Sequence, residues 1–109
     1  MRFLAIATSD DEWFARLWPA EAASASRAEA RRAWDLVQAG VIREISFRTD
    51  RRDVVIVLEA VDEAAACEAL GTLPFARAGA IAFEVFGLRP YDGWAWLFGP
   101  DRSEETPGG

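Results

Sequence analysis

The sequence predicts a single α+β domain whose elements follow the order β-α-β-β-α-β. Three observations predict it: two short apolar strands joined by a polar turn, a long helical segment before them, and a second helix followed by a strand after them. This is the order of the ferredoxin-like fold, a four-stranded antiparallel sheet with both helices on one face. At 109 residues the chain has room for one such core. We assign residues 1–100 to this domain and residues 101–109 to a disordered polar tail.

The first half of the chain predicts one strand and one long helix. Phe3 to Thr8 is apolar on both faces, and the polar run Ser9 to Glu12 suits the start of a short helical turn. The main helix is predicted at about Ala20 to Ala39, and Gly40 is typical of a helix end. Its apolar stripe is predicted to contain Ala23, Ala30, Ala33, Trp34 and Val37, with Arg27, Glu29 and Arg31 outside it.

The second half predicts a hairpin, a helix, a strand and an aromatic arm. Val41 to Thr49 and Asp53 to Ala60 form the hairpin, and Ala80 to Leu88 is the last strand of the core. The helix between them is predicted to have Asp62 as its N-cap, with Val61 packed on Ala66, and to have Gly71 at its end. Its buried stripe is predicted to contain Ala66, Ala69, Leu70 and Leu73, and Cys67 is also expected to be buried. The C-terminal aromatic arm, Trp94 to Phe98, has large side chains at every second position, so it either lies extended across a neighbour or covers a cavity.

The strands predict self-association. Val54 to Leu58 is apolar at every position, and a ferredoxin-like sheet covers only one of its faces with helices. An apolar sheet face left in water is an aggregation hazard. We therefore expect a homodimer that packs sheet to sheet, or a higher homo-oligomer built from it.

The composition excludes several classes of partner and cofactor. A net charge of −6 argues against nucleic acid and against anionic membrane. The absence of histidine and the single cysteine, Cys67, leave no credible metal site, and we expect no cofactor because no glycine-rich phosphate loop is present. A lone cysteine without a signal peptide or a membrane-length apolar segment predicts a cytoplasmic protein.

Two glutamates in apolar strands are the main candidates for chemistry. Glu84 lies within Ala80 to Leu88 and Glu59 follows Val54 to Leu58. Burial among apolar side chains raises the pKa of a carboxyl group, which makes it suitable for proton transfer. The two strands flank the first one, so the carboxylates either converge on one cavity or point to opposite faces.

Part of the chain, from Gly40 to Phe98, resembles the muconolactone isomerase-like family of dimeric α/β-barrel proteins. The matching stretches are Gly40-Val41-Ile42-Arg43-Glu44, Phe47-Arg48-Thr49-Asp50, Leu73-Pro74-Phe75 and Phe83-Glu84-Val85-Phe86-Gly87-Leu88. The resemblance implies two ferredoxin-like subunits packed into a barrel, and a proton moved within an unsaturated lactone acid without a cofactor. It places Glu84 and Glu59 at positions where the family has acids. The histidines of the family are replaced here by residues such as Arg48 and Tyr91.

These observations predict a cofactor-independent isomerase or cyclase that acts on a small unsaturated or aromatic acid. The expected base is Glu84, with Glu59 as a second catalytic carboxylate and Tyr91 as a donor to developing enolate charge. For substrate binding we expect Arg48 to hold the anion and Trp34 or Trp96 to provide a stacking wall. Two alternatives stay open: a non-catalytic ligand-binding or assembly domain, and a cofactor-free monooxygenase.

Overall fold

A computed structural model describes residues 1–99, and the predicted tail lies outside the described residues. The elements are β1 (Arg2–Ser9), α1 (Asp11–Ala15), α2 (Pro19–Gln38), β2 (Ile42–Phe47), β3 (Val54–Glu59), α3 (Glu63–Gly71), α4 (Pro74–Arg77), β4 (Ile81–Leu88) and α5 (Ala95–Phe98). The order confirms the predicted α+β fold. The short helices α1, α4 and α5 are additions to the core pattern.

The sheet has the strand order β2-β3-β1-β4, and every neighbouring pair is antiparallel. The central strand β1 pairs Ala5 with Ile56 on one side and with Val85 on the other. A bulge between Ile42 and Glu44 interrupts the pairing of β2 with β3. Because side chains alternate across a strand, this register decides which residues meet the helices.

One face of the sheet carries the helices. Phe3, Ala5, Ile56 and Leu58 on that face are buried. They pack in one core with Leu36 of α2, Ile42 of β2, and Ala66, Leu70 and Leu73 from α3 and the turn after it. The opposite face, here called the open sheet face, has no covering element in the described protomer. It contains the apolar side chains of Leu4, Ile6, Val55, Val57, Phe86 and Leu88.

The predicted stripe of α2 is displaced by about one residue. Ala23, Ala30 and Trp34 are exposed, whereas Leu36 is buried. The partly buried side of the helix contains Ala22, Ala25, Glu29, Arg32, Ala33 and Val37. Alanines occur on every side of this helix, so the apolar pattern gave little contrast for choosing its buried face. The ends were predicted well, since Gly40 has a positive φ of 77° directly after the helix.

Two predictions about α3 need correction. Asp62 caps the helix as expected, because its Oδ1 accepts the Ala65 N–H at 2.8 Å. Val61, however, is 82% exposed and does not pack on Ala66, and Cys67 is exposed rather than buried. The helix ends at Gly71 as expected, with Thr72 as its C-cap.

The aromatic arm is helical rather than extended. Trp94 begins a single turn that runs through α5, so its side chains do not alternate between two sides. Trp94, Leu97 and Phe98 are 59, 70 and 83% exposed. Tyr91 packs edge to face on Trp94, with ring centroids 5.0 Å apart. The arm therefore presents a large apolar surface in the protomer.

Asp53 connects the β2–β3 hairpin to the end of β1. Its carboxylate is buried, accepts the backbone N–H of Ser9 at 3.1 Å and pairs with Arg51. These contacts, the Ser9 hydrogen bond first, hold the pKa of Asp53 below its usual range. Arg51 also lies 3.8 Å from Asp11 and so brings α1 to the same cluster.

We expect Asp53→Ala to reduce the free energy of unfolding by roughly 1–3 kcal/mol, because it leaves the partly buried N–H of Ser9 without its acceptor. Asp50→Ala is the control, since Asp50 pairs with Arg48 on the exposed side of the hairpin and its loss should change little. Urea unfolding measures both. Because the folded pKa of Asp53 is lowered, its contribution is present above the ordinary aspartate pKa of 3.8 and is lost at lower pH. Equal effects of the two variants at neutral pH would contradict this assignment.

Candidate functional site

A cleft lies between α2 and the helix-side face of the sheet and has two overlapping lobes. The larger lobe has a volume of about 510 Å³ and is lined mainly by apolar side chains; we call it the apolar lobe. Residues found in this lobe alone include Ala33, Trp34, Val37, Ile45, Ile56 and Phe83. The second lobe has a volume of about 470 Å³, and we call it the polar lobe because Ser9, Asp11, Arg51 and Asp53 line it alone. Both volumes are typical of small-molecule sites.

Seven residues line both lobes and form their junction: Ser26, Glu29, Phe47, Arg52, Val54, Phe75 and Ile81. Only two of these are ionisable. Glu29 projects from α2 and Arg52 from the β2–β3 hairpin, so the helix and the sheet each contribute one charge of opposite sign. A molecule at this junction therefore meets one carboxylate and one guanidinium.

Glu29 is held by the first turn of α4. Its Oε1 accepts the backbone N–H of Phe75 at 2.9 Å. Pro74 is the first residue of α4, and the N–H of the next residue, Phe75, has no acceptor within the helix because it lies in the first turn. Among residues 1–99 the structure shows no partner for Oε2 of Glu29, which leaves that oxygen for a ligand.

Burial raises the pKa of Glu29 above the ordinary glutamate value of 4.5, and the hydrogen bond from Phe75 opposes this in part. The physical cause is the apolar lining around the carboxylate, which destabilises its charged form. A carboxyl group with a raised pKa releases and accepts a proton closer to neutral pH, which is the property a general acid or base needs.

The expected base, Glu84, lies on the open sheet face and not in this cleft. It pairs across the sheet with Ile6 and is exposed in the protomer. Glu59 lies on the same face, paired with Arg2 across β1 and β3. Since Arg2 and Ile6 are four residues apart, the two carboxylates are separated by about 13 Å along the strand. They share a face but do not converge on one site.

The expected raised pKa is wrong for Glu59. Its Oε1 accepts a hydrogen bond from Nε of Arg2 at 3.0 Å, and Met1 contributes its positively charged amino group at 3.6 Å. The Arg2 hydrogen bond is the largest cause that holds the pKa of Glu59 below its usual range. Glu59 lies at a strand end, where solvent and Arg2 are within reach, and this position lowers its pKa instead of raising it. The catalytic roles of Glu84 and Glu59 stay predictions.

Two further predicted residues lie away from the cleft. Arg48 forms two hydrogen bonds with Asp50, at 2.9 and 2.6 Å, in the exposed part of the hairpin. Tyr91 is 69% exposed and belongs to the aromatic arm. Neither residue lines either lobe. Their predicted roles as anion clamp and hydrogen-bond donor are untested.

The two predicted tryptophans differ in position. Trp34 lines the apolar lobe and is 58% exposed, so it stands at the edge of the cleft, where a stacking wall was expected. Trp96 belongs to α5, is 40% exposed and lines neither lobe. Of the residues predicted for substrate binding, the structure therefore brings Trp34 alone into this cleft.

Sequence reasoning missed Glu29 and Arg52. Glu29 was placed outside the apolar stripe of α2, and Arg52 was treated as part of a polar turn. One signal was available for Glu29: Ala22, Ala25, Glu29 and Leu36 follow helical spacing, so a correctly phased stripe contains an acid. No comparable signal existed for Arg52, because only the fold of the hairpin decides which of its arginines faces the cleft.

Within residues 1–99 no group of three or more metal-binding side chains is positioned to hold a metal ion. The same part of the chain has no helix that is both long enough and apolar enough to cross a membrane. The ionisable side chains that line the cleft are Asp11, Arg51 and Asp53 at its polar end and Glu29 and Arg52 at its junction. Its chemistry is thus that of carboxylates and arginines.

The fold and the cleft define the class of protein: a ferredoxin-like α+β domain with a small-molecule-sized cavity between helix and sheet. No family profile matches the chain, and no curated protein matches its sequence. Among solved structures, muconolactone isomerase is similar, with a TM-score of 0.68 over 84% of this chain and 92% of that chain, at 22% identity. The resemblance to the muconolactone isomerase-like family is therefore confirmed at the level of fold.

We expect Glu29→Gln to stabilise the protein at neutral pH, because the variant keeps an acceptor for the Phe75 N–H but removes a charge that burial disfavours. The folded pKa of Glu29 is raised, so the native state binds more protons than the unfolded state at intermediate pH. Wild-type stability then falls as pH rises from about 4.5 through the folded pKa. Thermal unfolding of both proteins across this pH range checks the prediction, and a constant difference between them would contradict it.

Proposed function

We propose that this protein is a cofactor-independent isomerase or cyclase that transfers a proton within a small unsaturated or aromatic acid, with Glu29 as the acid/base group. The observation that carries the proposal is the position of Glu29: a half-buried carboxylate with a raised pKa at the junction of a small-molecule-sized cleft. The shared fold with muconolactone isomerase supports the same reaction class.

The reaction uses one carboxylate twice. Oε2 of Glu29 accepts a proton from a carbon next to the carbonyl group of the substrate, so the C–H bond breaks and an O–H bond forms. The electron pair is delocalised over the conjugated system as an enolate. The same carboxyl group then returns the proton to another carbon of that system, and the double bond moves. The Phe75 N–H holds Oε1 throughout and fixes the direction of Oε2.

Trp34 keeps its proposed role as a wall for the unsaturated part of the substrate. Phe83 and Val37 line the same lobe from β4 and α2. Planar apolar side chains exclude water from the enolate and stack on a conjugated ligand. The proposed base, Glu29 on the helix, differs from the base expected from the sequence, Glu84 on the last strand.

The activity test compares Glu29→Gln with Glu84→Gln. Unsaturated lactone acids and β,γ-unsaturated carboxylic acids are incubated with each protein in D₂O, and NMR follows deuterium entering the carbon next to the carbonyl. Glu29→Gln removes the basic oxygen but keeps the shape, so exchange and isomerisation should fall about 10²-fold or more. Glu84→Gln and Cys67→Ser should leave the rate nearly unchanged. Loss in Glu84→Gln with an active Glu29→Gln would return the role of base to Glu84.

The assembly proposed for this function is a homodimer that packs the open sheet faces together. A face of four strands, about 19 Å wide and about 20 Å long, offers roughly 400 Å², whereas a stable dimer buries about 800 Å² on each partner. The aromatic arm, Trp94 to Phe98, and Tyr91 packed on it add a further exposed apolar surface. We propose that both surfaces contribute to the contact.

Sedimentation should show a dimer at micromolar concentration. The triple variant Trp94→Ser, Leu97→Ser, Phe98→Ser should weaken dimerisation by about 2–4 kcal/mol, because it removes three exposed apolar anchors of the arm. Val61→Ser is the control, since Val61 is also highly exposed but lies before α3. A folded wild-type monomer at this concentration would disprove the dimer.

A further inference from the structure

We propose that Arg52 is the anion-binding residue of the cleft and holds the carboxylate of a monoanionic ligand whose apolar body occupies the apolar lobe. The inference rests on the proposed function, since it names the group by which the substrate is oriented. It assigns to Arg52 the role that the sequence suggested for Arg48.

Arg52 is held in place by a contact with Phe47. Its guanidinium lies over the ring of Phe47, 4.4 Å from the ring centroid, and the side chain lines both lobes. A cation–π contact occupies the flat face of a guanidinium and leaves its N–H edges for hydrogen bonds in the plane. Arg52 is thus oriented by an aromatic ring at the place where the lobes meet.

The neighbouring arginines of the hairpin, Arg48 and Arg51, are already neutralised by carboxylates. Arg48 pairs with Asp50, and Arg51 pairs with Asp53 and approaches Asp11. Arg52 forms no ion pair with any residue in the described range 1–99. Since a guanidinium fork matches a carboxylate in two parallel hydrogen bonds, Arg52 is the residue of the hairpin available to a ligand anion.

The charges around the junction decide the class of anion. Asp11 and Asp53 line the polar lobe, and Arg51 there is held by those two carboxylates. Glu29 adds a further acid at the junction. A dianion such as a phosphate would meet repulsion from these groups with one free guanidinium to offset it. A single carboxylate fits this balance better.

The same arrangement orients the ligand. With its carboxylate on Arg52, the ligand extends past Glu29 into the lobe lined by Trp34, Ile56 and Phe83. The atoms next to the carboxylate then lie at the junction, which Glu29 also lines. The site selects a carboxylic acid with a planar apolar body and brings its adjacent carbon to the proposed base.

Binding is measured by isothermal titration calorimetry with cinnamate, which is planar, unsaturated and monoanionic, and with its neutral amide, cinnamamide. Arg52→Gln should weaken cinnamate binding about 10- to 100-fold, the effect of losing charge-assisted hydrogen bonds. It should leave cinnamamide binding unchanged. Arg48→Gln is the matched control from the same hairpin and should bind both compounds as the wild type does.

A second variant separates charge from geometry. Arg52→Lys keeps the charge but has no fork, so it should bind cinnamate with an affinity between those of the wild type and Arg52→Gln. Thermal unfolding of each variant shows whether it is folded. Wild-type affinity for cinnamate in Arg52→Gln, an equal loss in Arg48→Gln, or no saturable binding of cinnamate to the wild type at millimolar concentration would each overturn the proposal. Tighter binding of phenyl phosphate than of cinnamate would overturn the choice of a monoanion.

Glu29→Gln distinguishes this proposal from the proposed function. It should bind cinnamate at least as tightly as the wild type, because it removes a negative charge beside the ligand and leaves Arg52 in place. If Glu29→Gln keeps full turnover while Arg52→Gln loses cinnamate binding, the proposed base is wrong and the anion site stands. If Glu29→Gln loses turnover while Arg52→Gln binds cinnamate normally, the base stands and the anion site is wrong.

Discussion

The burial of one sheet face under α2 is the constraint on which the rest of this structure depends. At the C-terminal end of the helix, Leu36 packs with Phe3 and Leu58 in a filled core. Toward the cleft the helix presents small side chains, such as Ser26 and Ala33, and the central strand of the sheet has Ala7 there. Large side chains fill the core around Leu36, and small ones leave space beside it. The cleft is the result of this difference in side-chain volume.

The cleft explains how an acidic protein without histidine obtains a group suited to proton transfer. A carboxylate on an open strand finds solvent or an arginine, as Glu59 does with Arg2, and its pKa falls. A carboxylate on the inner side of a helix meets apolar walls instead. Glu29 is in that position, and the single backbone hydrogen bond from Phe75 offsets its burial only in part. The position of each carboxylate relative to the core, more than its residue type, sets its pKa.

The open sheet face and the aromatic arm are apolar surfaces without a covering element in the described protomer. Phe86 and Leu88 are 47 and 40% exposed at the end of β4, and the arm follows directly along the chain. The open sheet face lies opposite the cleft, which is on the helix side of the sheet.

The sequence by itself determined the fold class, the approximate ends of the main helix and strands, the Asp62 cap and the turn at Gly40, because periodicity and capping act over a few neighbouring residues. It did not determine the phase of α2, the helical form of the arm, or which charged side chains face the cleft. Those depend on contacts between residues far apart in the chain: Phe75 with Glu29, and the hairpin that turns Arg52 rather than Arg48 toward Phe47 and the cleft. Only the tertiary structure decided them, since burial and charge pairing are properties of packed elements and not of local sequence.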